Sequence, residues 1–559
     1  MSIRYLAFLF FPIIAFANDQ ILVVSGGDNP GLNHYSQYLQ TKTMYDYLVD
    51  KNGEDNVTVF FGMGNNPETK KPFPDVHKIV TVNDDDVDQM IPGIIENNMA
   101  ATKSNIYQYF FSSDINEMGS QDNLRIFVSD HGLPNLFMND KSQGEYSDNC
   151  IDLWNFDKTL VNNFANKDDF AKVCMSKNAL ANLLNVVPAK HVIFEMSQCY
   201  SGGFHQLSVT DKNGYPTANP KICGFTASTP DHYASGCTAT ADGPSYQGYE
   251  RSFTEWYTGI SIPTGEMIRN PATNMFSAHQ NAVLEDKTVD IPLTTSDYYL
   301  LQWAELFDSK NFKSRISGYS GSYVKNIYKN YLKYLVTNNK DYNQFKHLIE
   351  RDQKLIMAKY PKDRRFFSLT LDGQKKYISN FEKDIAAKNL EVKQKNFFLF
   401  NTLMVNTIYP MWRPYVENHS VPGLTSKQYK MEDELYFPIV DNKMLLEPFQ
   451  APMLFLQYLA IHENDSDLVD YNENRFDIIE SFAINQNLDS LANAVKDAQD
   501  LSNQIDQKND QISQLEKEKQ LLRRVYLYKT ALAAWSTLIK INDKVALRDL
   551  AGLISCEHS

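Results

Sequence analysis

The sequence is poor in cysteine and has no excess of basic residues. Six cysteines in 559 residues exclude a small disulfide-dense protein, in which cysteine would be far more frequent. Lys and Arg number 54 against 68 Asp and Glu, a net charge of −14, which argues against a general nucleic-acid binder. Hydrophobic residues make up 43% of the chain, which is ample for packed cores. Because single cores rarely grow beyond roughly 250–300 residues, two or more domains are expected.

Long apolar runs are also missing, except near the N-terminus. Residues 1–17 combine Arg4, a short apolar stretch and the small-residue ending Ala15-Phe16-Ala17, which is the pattern of a secretory signal peptide. A buried strand or an uncleaved anchor is the alternative reading. No later segment approaches 20 uninterrupted apolar residues, so no transmembrane helix is predicted. We therefore expect a secreted or exported protein (extracellular, periplasmic or endolysosomal), in a compartment that permits disulfides.

Over the first 260 or so residues, short apolar runs that end at turn residues alternate with segments whose apolar residues recur at helical spacing. The runs lie at 20–24, 57–61, 78–82, 124–128, 191–194 and 222–227, and the helical spacing lies at 38–49, 90–111 and 170–186. Such alternation is typical of an α/β domain with a mainly parallel sheet flanked by helices. We assign residues 18–275 to this domain.

The residue pattern changes beyond about residue 271, where segments typical of strands become rare. Residues 276–480 are predicted to form a mostly α-helical domain, and residues 481–559 a long helix or coiled coil with a C-terminal tail. A heptad can be written over 491–522, and eight of its ten a and d positions are apolar, which favours a long helix in a hairpin or a coiled coil. A single amphipathic helix packed on its own domain is the equal alternative. The a and d positions are Leu491, Ala494, Ala498, Leu501, Ile505, Lys508, Ile512, Leu515, Lys519 and Leu522.

Two predicted strands end in residues that can carry chemistry. Ser-Asp-His-Gly follows one strand at 129–132, and Gln-Cys-Tyr-Ser-Gly-Gly follows another at 198–203. Sites in open α/β sheets form at the carboxyl ends of the strands, so we expect His131 and Cys199 to meet there. A Cys nucleophile with a His distant in sequence is the arrangement of cysteine hydrolases. Each motif alone is more often structural, a buried thiol or a hydrogen-bonding imidazole.

The expected chemistry is acyl transfer through a thioester. Cys199 attacks the scissile carbonyl, and His131 protonates the leaving amine and then activates water. The backbone N–H groups of Gly132 and Cys199 are the predicted oxyanion donors. The reaction needs no metal and no cofactor.

These blocks resemble the paired motifs of the caspase-like cysteine peptidases and, within that clan, those of the legumain family (asparaginyl endopeptidases, peptidase family C13). The resemblance rests on Asp130-His131-Gly132, on the Ser-Gly that follows Cys199 closely, and on the Gly-rich turn after the first strand. It covers roughly residues 20–260. In that turn Asn33 stands where legumains have the Asn that orients the catalytic His. The stretch 225–234 resembles the family's substrate-binding edge, which assigns substrate contacts to Thr226, Ala227, Ser228 and Asp231.

The sequence departs from the legumain pattern at the specificity pocket. Tyr35 and Ser36 replace the family's Arg-His pair, and Ser197 replaces an acidic residue two positions before the nucleophile. A pocket built to pair a substrate amide loses its main polar groups by these changes. Tyr35, Ser36 and Ser197 remain predicted substrate contacts, but strict cleavage after Asn is not expected.

The expected function is therefore that of a secreted thiol protease, an endopeptidase that acts on a protein or peptide substrate. Two alternatives stay open: a catalytically inactive binding protein on a caspase-like scaffold, and a transpeptidase or ligase, in which an amine captures the thioester. Legumains carry a C-terminal helical prodomain, so by resemblance the half from about residue 276 keeps a zymogen latent. Binding of a partner through the 491–522 helix is an equal contender.

The remaining cysteines allow more than one pairing. Cys150 with Cys174, and Cys223 with Cys237, are candidate disulfides, although spacing does not determine connectivity. Cys556, near the end of the chain, is the candidate for an unpaired thiol.

Overall fold

The computed structural model describes residues 19–82, 85–135, 148–155, 167–240, 246–308, 340–399 and 489–559. The predicted signal peptide lies outside the described residues, as do residues 309–339 and 400–488 of the predicted helical region. The chain divides into two compact units. The first comprises Met1–Lys375 with Gln520–Ser559, and the second comprises Lys376–Lys519.

Strands are found in the first unit. They are β1 (Gln20–Ser25), β2 (Val57–Phe61), β3 (Pro74–Val82), β4 (Asp85–Pro92), β5 (Asn123–Ser129), β6 (Gly132–Pro134), β7 (Asn149–Asp152), β8 (Cys174–Ser176), β9 (His191–Met196), β10 (Val209–Lys212), β11 (Tyr215–Ala218), β12 (Ile222–Thr226) and β13 (Leu293–Thr294).

Helices surround the strands and make up the described C-terminal region. They are α1 (Tyr35–Asn52), α2 (Lys103–Phe110), α3 (Ser113–Asn116), α4 (Lys167–Val173), α5 (Lys177–Leu184), α6 (Tyr249–Thr258), α7 (Met275–Glu285), α8 (Thr295–Asp308), α9 (Lys340–Lys359), α10 (Leu371–Leu399), α11 (Asp489–Ile541) and α12 (Lys544–Glu557). Short 3-10 helices lie at Glu54–Asn56, Ser201–Leu207 and Pro361–Ser368. None of the helices in the described part of the chain combines the length and the apolar character needed to cross a bilayer.

A six-stranded sheet forms the centre of the first unit, in the order β13-β12-β9-β5-β1-β2. Its strands are parallel except for β13, which pairs antiparallel with β12 at one edge. The predicted α/β fold with a mainly parallel sheet is confirmed. Ile21 and Val23 belong to one core cluster, and Leu22 and Val24 to another. Both faces of the sheet are thus covered, which is why its strands read as continuous apolar runs.

Two predicted elements differ from the structure. Residues 78–82 are a strand, but β3 pairs with β4 in a separate antiparallel hairpin and not with the central sheet. The helix predicted over 90–111 is wrong in its first half, because Pro92-Gly93 ends β4 and interrupts a helix. Helix α2 begins only at Lys103, where the Thr102 side chain accepts a hydrogen bond from the backbone of Asn105, a standard N-cap.

The helix predicted over 170–186 is likewise divided into α4 and α5 by the short strand β8. Strand β8 pairs with β7, and its Cys174 forms a disulfide with Cys150 on that strand. The sequence pattern does not reveal this interruption, because only three residues between the two helices are not helical.

The helical character predicted for the C-terminal region is confirmed where the chain is described, but the last forty residues belong to the first unit. Helix α12 packs against β12 and α8, and Leu550 and Leu553 share a buried cluster with Trp303 and Phe307. The end of the chain is therefore part of the α/β unit's own core, not a separate tail.

The disulfides reflect this packing. Cys150 pairs with Cys174, one of the pairs that the sequence allowed, whereas Cys223 on β12 pairs with Cys556 on α12. The suggested Cys223–Cys237 pair and the unpaired Cys556 are both wrong. The partners are 333 residues apart, and only the docking of α12 on β12 brings them together. Cys199 and Cys237 are free.

The second unit is built on α10 and α11. Lys388 contacts Gln511, Glu391 contacts Lys508, and Lys395 contacts Gln504. Residue numbers fall along α11 as they rise along α10, so the two helices are antiparallel. The buried apolar positions described in this unit lie three, four or seven residues apart along each helix. They are Ile378, Phe381, Ile385 and Val392 on α10, with Ala498 and Ile505 on α11. The predicted heptad therefore lies within a helix whose apolar stripe is its buried side.

Candidate active site at the carboxyl ends of β5 and β9

The carboxyl ends of β1, β5 and β9 meet at one edge of the sheet. Ser25 at the end of β1 pairs with Ser129 at the end of β5, and Val128 pairs with Met196 at the end of β9. The strand order reverses at β1, because β2 lies on one side of it and β5 on the other. Ligands bind at such a reversal in open α/β sheets. His131 follows β5, which adjoins β1, and Cys199 follows β9, the next strand of the sheet.

The loops after β5 and β9 are in direct contact. A Cβ atom added to Gly132 would lie 1.8 Å from the carbonyl oxygen of Cys199 and 2.8 Å from Cγ of Gln198. Only glycine leaves room for the second loop at this distance. The structure therefore brings the two predicted motifs together, and it gives Gly132 a steric role besides the predicted oxyanion contact.

The imidazole of His131 is oriented by a backbone carbonyl. Its Nε2 atom lies 2.9 Å from the carbonyl oxygen of Leu32. Because a carbonyl only accepts, Nε2 carries the proton and Nδ1 of the neutral ring is left as the base. This corrects the role predicted for Asn33. The Asn33 side chain is buried without a hydrogen-bond partner among the described residues, and the carbonyl of the residue before it makes the contact.

A neutral His131 is favoured by its surroundings. Burial lowers the pKa of His131 below its usual range. The ring of His34 packs edge-on against it, with 5.1 Å between the ring centroids. Burial, with His131 and His77 nearby, lowers the pKa of His34 to about 4. The sequence did not single out His34, which directly follows Asn33 and carries no motif of its own.

Cys199 is a free, partly exposed thiol. Its Sγ accepts a hydrogen bond from the backbone N–H of Ala234 at 3.3 Å. Burial, followed by the nearby carboxyl groups of Asp290 and Glu250, raises the pKa of Cys199 to about 11. The site therefore holds a protonated thiol and a neutral imidazole, so any attack by the sulfur would first require transfer of its proton.

The loop that carries Cys199 is held in an uncommon conformation. Tyr200, directly after Cys199, has φ 60° and ψ 14°, a left-handed geometry that non-glycine residues adopt rarely. Its N–H donates to the carbonyl of His232 at 2.8 Å. The side-chain amide of Asn149 donates to the carbonyls of Tyr200 at 2.6 Å and of Pro230 at 2.8 Å. Asn149 thus joins the loop of Tyr200 to the loop of Pro230, a role that no sequence signal indicated.

Three of the predicted substrate contacts are buried at the end of β12. Thr226 bonds His205, the N–H of Ala227 donates to the carbonyl of Met196, and Ser228 accepts from the N–H of Ser201. Their exposed fractions are 0%, 0% and 1%, so their side chains stabilise the end of an interior strand. Substrate contact at these three positions stays a prediction.

The other predicted contacts have varied positions. The carboxylate of Asp231 is exposed, and Nη2 of Arg523 donates to both of its oxygens at 2.7 Å. Tyr35 stacks on Tyr38 and has Nζ of Lys78 4.3 Å above its ring.

Ser36 and Ser197 are both buried. Ser36 exchanges hydrogen bonds with Thr238, at 3.1 Å and 3.0 Å. The hydroxyl of Ser197 donates to the carboxyl group of Glu195. Ser36 therefore ties the start of α1 to the loop that also carries Ala234.

Buried carboxyl groups lie behind this edge of the sheet. Glu250, at the start of α6, accepts from the hydroxyl of Ser129, and burial raises its pKa to about 8. Burial raises the pKa of Glu195 well above its usual range. Glu250 is therefore mostly protonated at neutral pH. Among the described residues, no group of three or more His, Cys, Asp or Glu side chains is arranged to hold a metal ion.

The buried carboxyl groups predict a pH dependence of stability. Burial raises the pKa of Glu557, which accepts from Ser296, to about 8, as it does for Glu250. A raised folded-state pKa gives stability that is complete below the unfolded-state pKa and is lost as pH rises through 8. The free energy of unfolding should fall by about 1.4 kcal/mol for each group between pH 7 and 9.

Denaturant unfolding at the two pH values measures this fall. Glu557→Gln should reduce the fall in unfolding free energy by the contribution of one carboxyl group. Glu68→Gln, at an exposed position, should leave the fall unchanged. A fall of the same size in Glu557→Gln and in the parent protein would contradict the assignment.

Comparison with known proteins adds nothing to this geometry. No family model matches the sequence, and no match is found among curated proteins. What the chain does has to follow from its own residues.

Proposed function

We propose that this chain is an exported cysteine endopeptidase, a legumain-like member of the caspase-like clan, that hydrolyses peptide bonds through a thioester on Cys199. One observation carries the proposal. A free thiol and an imidazole of defined tautomer stand on two loops that touch at the carboxyl ends of neighbouring parallel strands.

The strand order supports a caspase-like fold for the first unit. The order of the five parallel strands reverses once, at β1, and both predicted catalytic loops follow strands near that reversal, where active sites of open α/β sheets form. The Asn33 turn follows β1 itself. The three blocks that carry the resemblance to legumains thus belong to neighbouring strands.

The proposed reaction starts from a protonated Cys199 thiol and a neutral His131 imidazole. The thiol of Cys199 passes its proton to Nδ1 of His131 as the sulfur attacks the scissile carbonyl, and the Leu32 carbonyl stabilises the imidazolium through Nε2–H. The imidazolium then protonates the leaving amine, which leaves a thioester. Water, deprotonated by the same Nδ1, attacks the thioester and releases the acid. Backbone N–H groups at Gly132 and Cys199 are the proposed donors to the oxyanion.

Export and a helical partner surface belong to the same proposal. Two disulfides in the first unit suit an oxidising compartment. The antiparallel pair of α10 and α11, with its buried positions at spacings of three and four, supports a coiled coil in the second unit. Such a pair is suited to bind a partner helix or a second copy of the chain.

A peptide library offered at pH 5 and pH 7.5, with and without a competing amine such as hydroxylamine, tests the activity. We expect new carboxyl termini with water and hydroxamates with the amine, and loss of both products after iodoacetamide modifies Cys199. Products formed only with the amine would identify a transferase. No cleavage under any condition, with Cys199 intact and the protein folded, would overturn the peptidase assignment in favour of a binding protein.

A further inference from the structure

The loop that contacts Cys199 is anchored by one buried carboxylate. Ala234 donates to Sγ of Cys199 at 3.3 Å, and the next residue, Ser235, donates its N–H to Oδ1 of Asp290 at 2.6 Å. The other oxygen of Asp290 accepts from the N–H of Tyr249 at 2.8 Å. Asp290 therefore fixes the backbone beside the nucleophile to the start of α6.

Asp290 is itself held by a residue from the end of the chain. Nη1 of Arg524 donates to the carbonyl oxygen of Asp290 at 3.0 Å and to the carboxylate of Asp286 at 2.7 Å. Nε and Nη2 of Arg524 each lie 3.0 Å from a carboxylate oxygen of Asp352. Arg524 is 0% exposed. A guanidinium without access to water is stable only with such paired, hydrogen-bonded carboxylates, so its position is strictly determined.

The neighbouring arginine holds the same loop from outside. Arg523 forms its two-oxygen contact with Asp231, three residues before Ala234. Consecutive residues of α11 thus contact the loop directly at Asp231 and, through Asp290, at Ser235. Residues 523 and 524 point to different sides of one helix. The Arg523 contact at Asp231 and the Arg524 contact through Asp290 therefore hold the loop at two separate points, which limits both its displacement and its rotation.

Further bonds attach the end of the chain to the strand that precedes this loop. Cys556 is joined covalently to Cys223 on β12. Glu557 accepts from both the N–H and the hydroxyl of Ser296, each at 2.7 Å. A cut within Lys376–Lys519 would therefore leave the last forty residues attached to the first unit.

We infer that residues 520–557 form a C-terminal brace, and that Arg524 and Arg523 are positioning residues for the Cys199 loop. The brace is a permanent part of the catalytic unit and not a prodomain to be removed. If the C-terminal half restrains the proposed peptidase, only residues within Lys376–Lys519 are removable without loss of the site. The inference that the brace serves catalysis rests on the proposed function, whereas its effect on the loop does not.

Hydrogen exchange of the backbone amides in residues 229–237, measured on the full chain, tests the brace without any substrate. Arg523→Ala changes a partly exposed pair and should leave the melting temperature nearly unchanged, while exchange in this segment rises at least tenfold. Arg524→Lys keeps the charge but loses the forked contacts, and should raise exchange in the same segment. Arg548→Met is the matched control, because Arg548 is exposed on α12 and pairs with its neighbour Asp549.

Peptide cleavage by the same variants provides the second readout. We expect kcat/KM to fall about tenfold in Arg523→Ala, with partial retention in Arg524→Lys, and no change in Arg548→Met. Unchanged exchange in folded Arg523→Ala and Arg524→Lys would overturn the brace, whatever the enzyme does. Raised exchange in the two variants, with no cleavage by the wild-type chain, would keep the brace as a loop support and refute only the peptidase.

Discussion

Replacement of Cys199 by alanine is expected to abolish peptide cleavage, with kcat falling by a factor of about 10⁵ or more. In the proposed mechanism the thioester forms on Cys199, and the loss of a nucleophile from a set of catalytic residues typically costs that much. Initial rates on the best peptide from the library measure the loss. The fold should be unaffected, because among the described residues the thiol bonds only to Ala234, whose N–H donates to Sγ at 3.3 Å and whose carbonyl lies 3.7 Å from it.

The second free thiol provides the control. Cys237 lies in the same loop as Ala234, and its sulfur is 3.8 Å from the side-chain nitrogen of Gln37. Cys237→Ala should keep activity within a few-fold of the parent. Cleavage by Cys199→Ala at a rate near that of the parent protein would show that the thioester mechanism is wrong.

Replacement of Gly132 by alanine is expected to lower kcat/KM by about 100-fold or more and to destabilise the first unit. The new methyl group would lie 1.8 Å from the carbonyl oxygen of Cys199, so the loops after β5 and β9 have to separate by more than 1 Å. Displacements of that size between reacting groups cost about 10²-fold in rate. Overpacking of a buried site costs about 1–3 kcal/mol in stability.

Gly119→Ala is the matched control for the added methyl group. Its Cβ would meet the nearest atom, Oδ2 of Asp122, at 3.4 Å, which is ordinary contact. Activity and melting temperature should therefore stay close to those of the parent. If Gly132→Ala behaved in the same way, the two loops would not be packed against each other as the structure has them.

Much of the fold could be predicted because its signals are local. Strands such as β1 and β9 are buried on both faces, and complete burial requires the continuous apolar runs that identify them. The hairpin of β3 and β4 was harder to predict. Met90 on β4 is 47% exposed and Ile94, just after β4, is 60% exposed, so apolar residues there do not mark a core-facing helix.

The residues of the candidate site likewise divide into those that the sequence indicated and those that only the structure identified. His131 and Cys199 were identified because reactive residues directly after strands have a known meaning. The roles of Leu32 and Asn149 were not, since a backbone carbonyl has no sequence signature and Asn149 acts across two loops. Thr226 and Ser228 matched a motif, but their burial at the end of an interior strand gives them structural roles.

The sequence by itself determined the α/β class, the alternation that builds the sheet, and the two residues most suited to thioester chemistry. These follow from periodicity and from chemistry that single side chains carry. Only the tertiary structure decided that Cys556 pairs with Cys223, that Arg524 lies buried behind the loop next to Cys199, and that the chain's last forty residues belong to the first unit. Those contacts join positions more than 230 residues apart, and their partners are selected by packing, which no local pattern records.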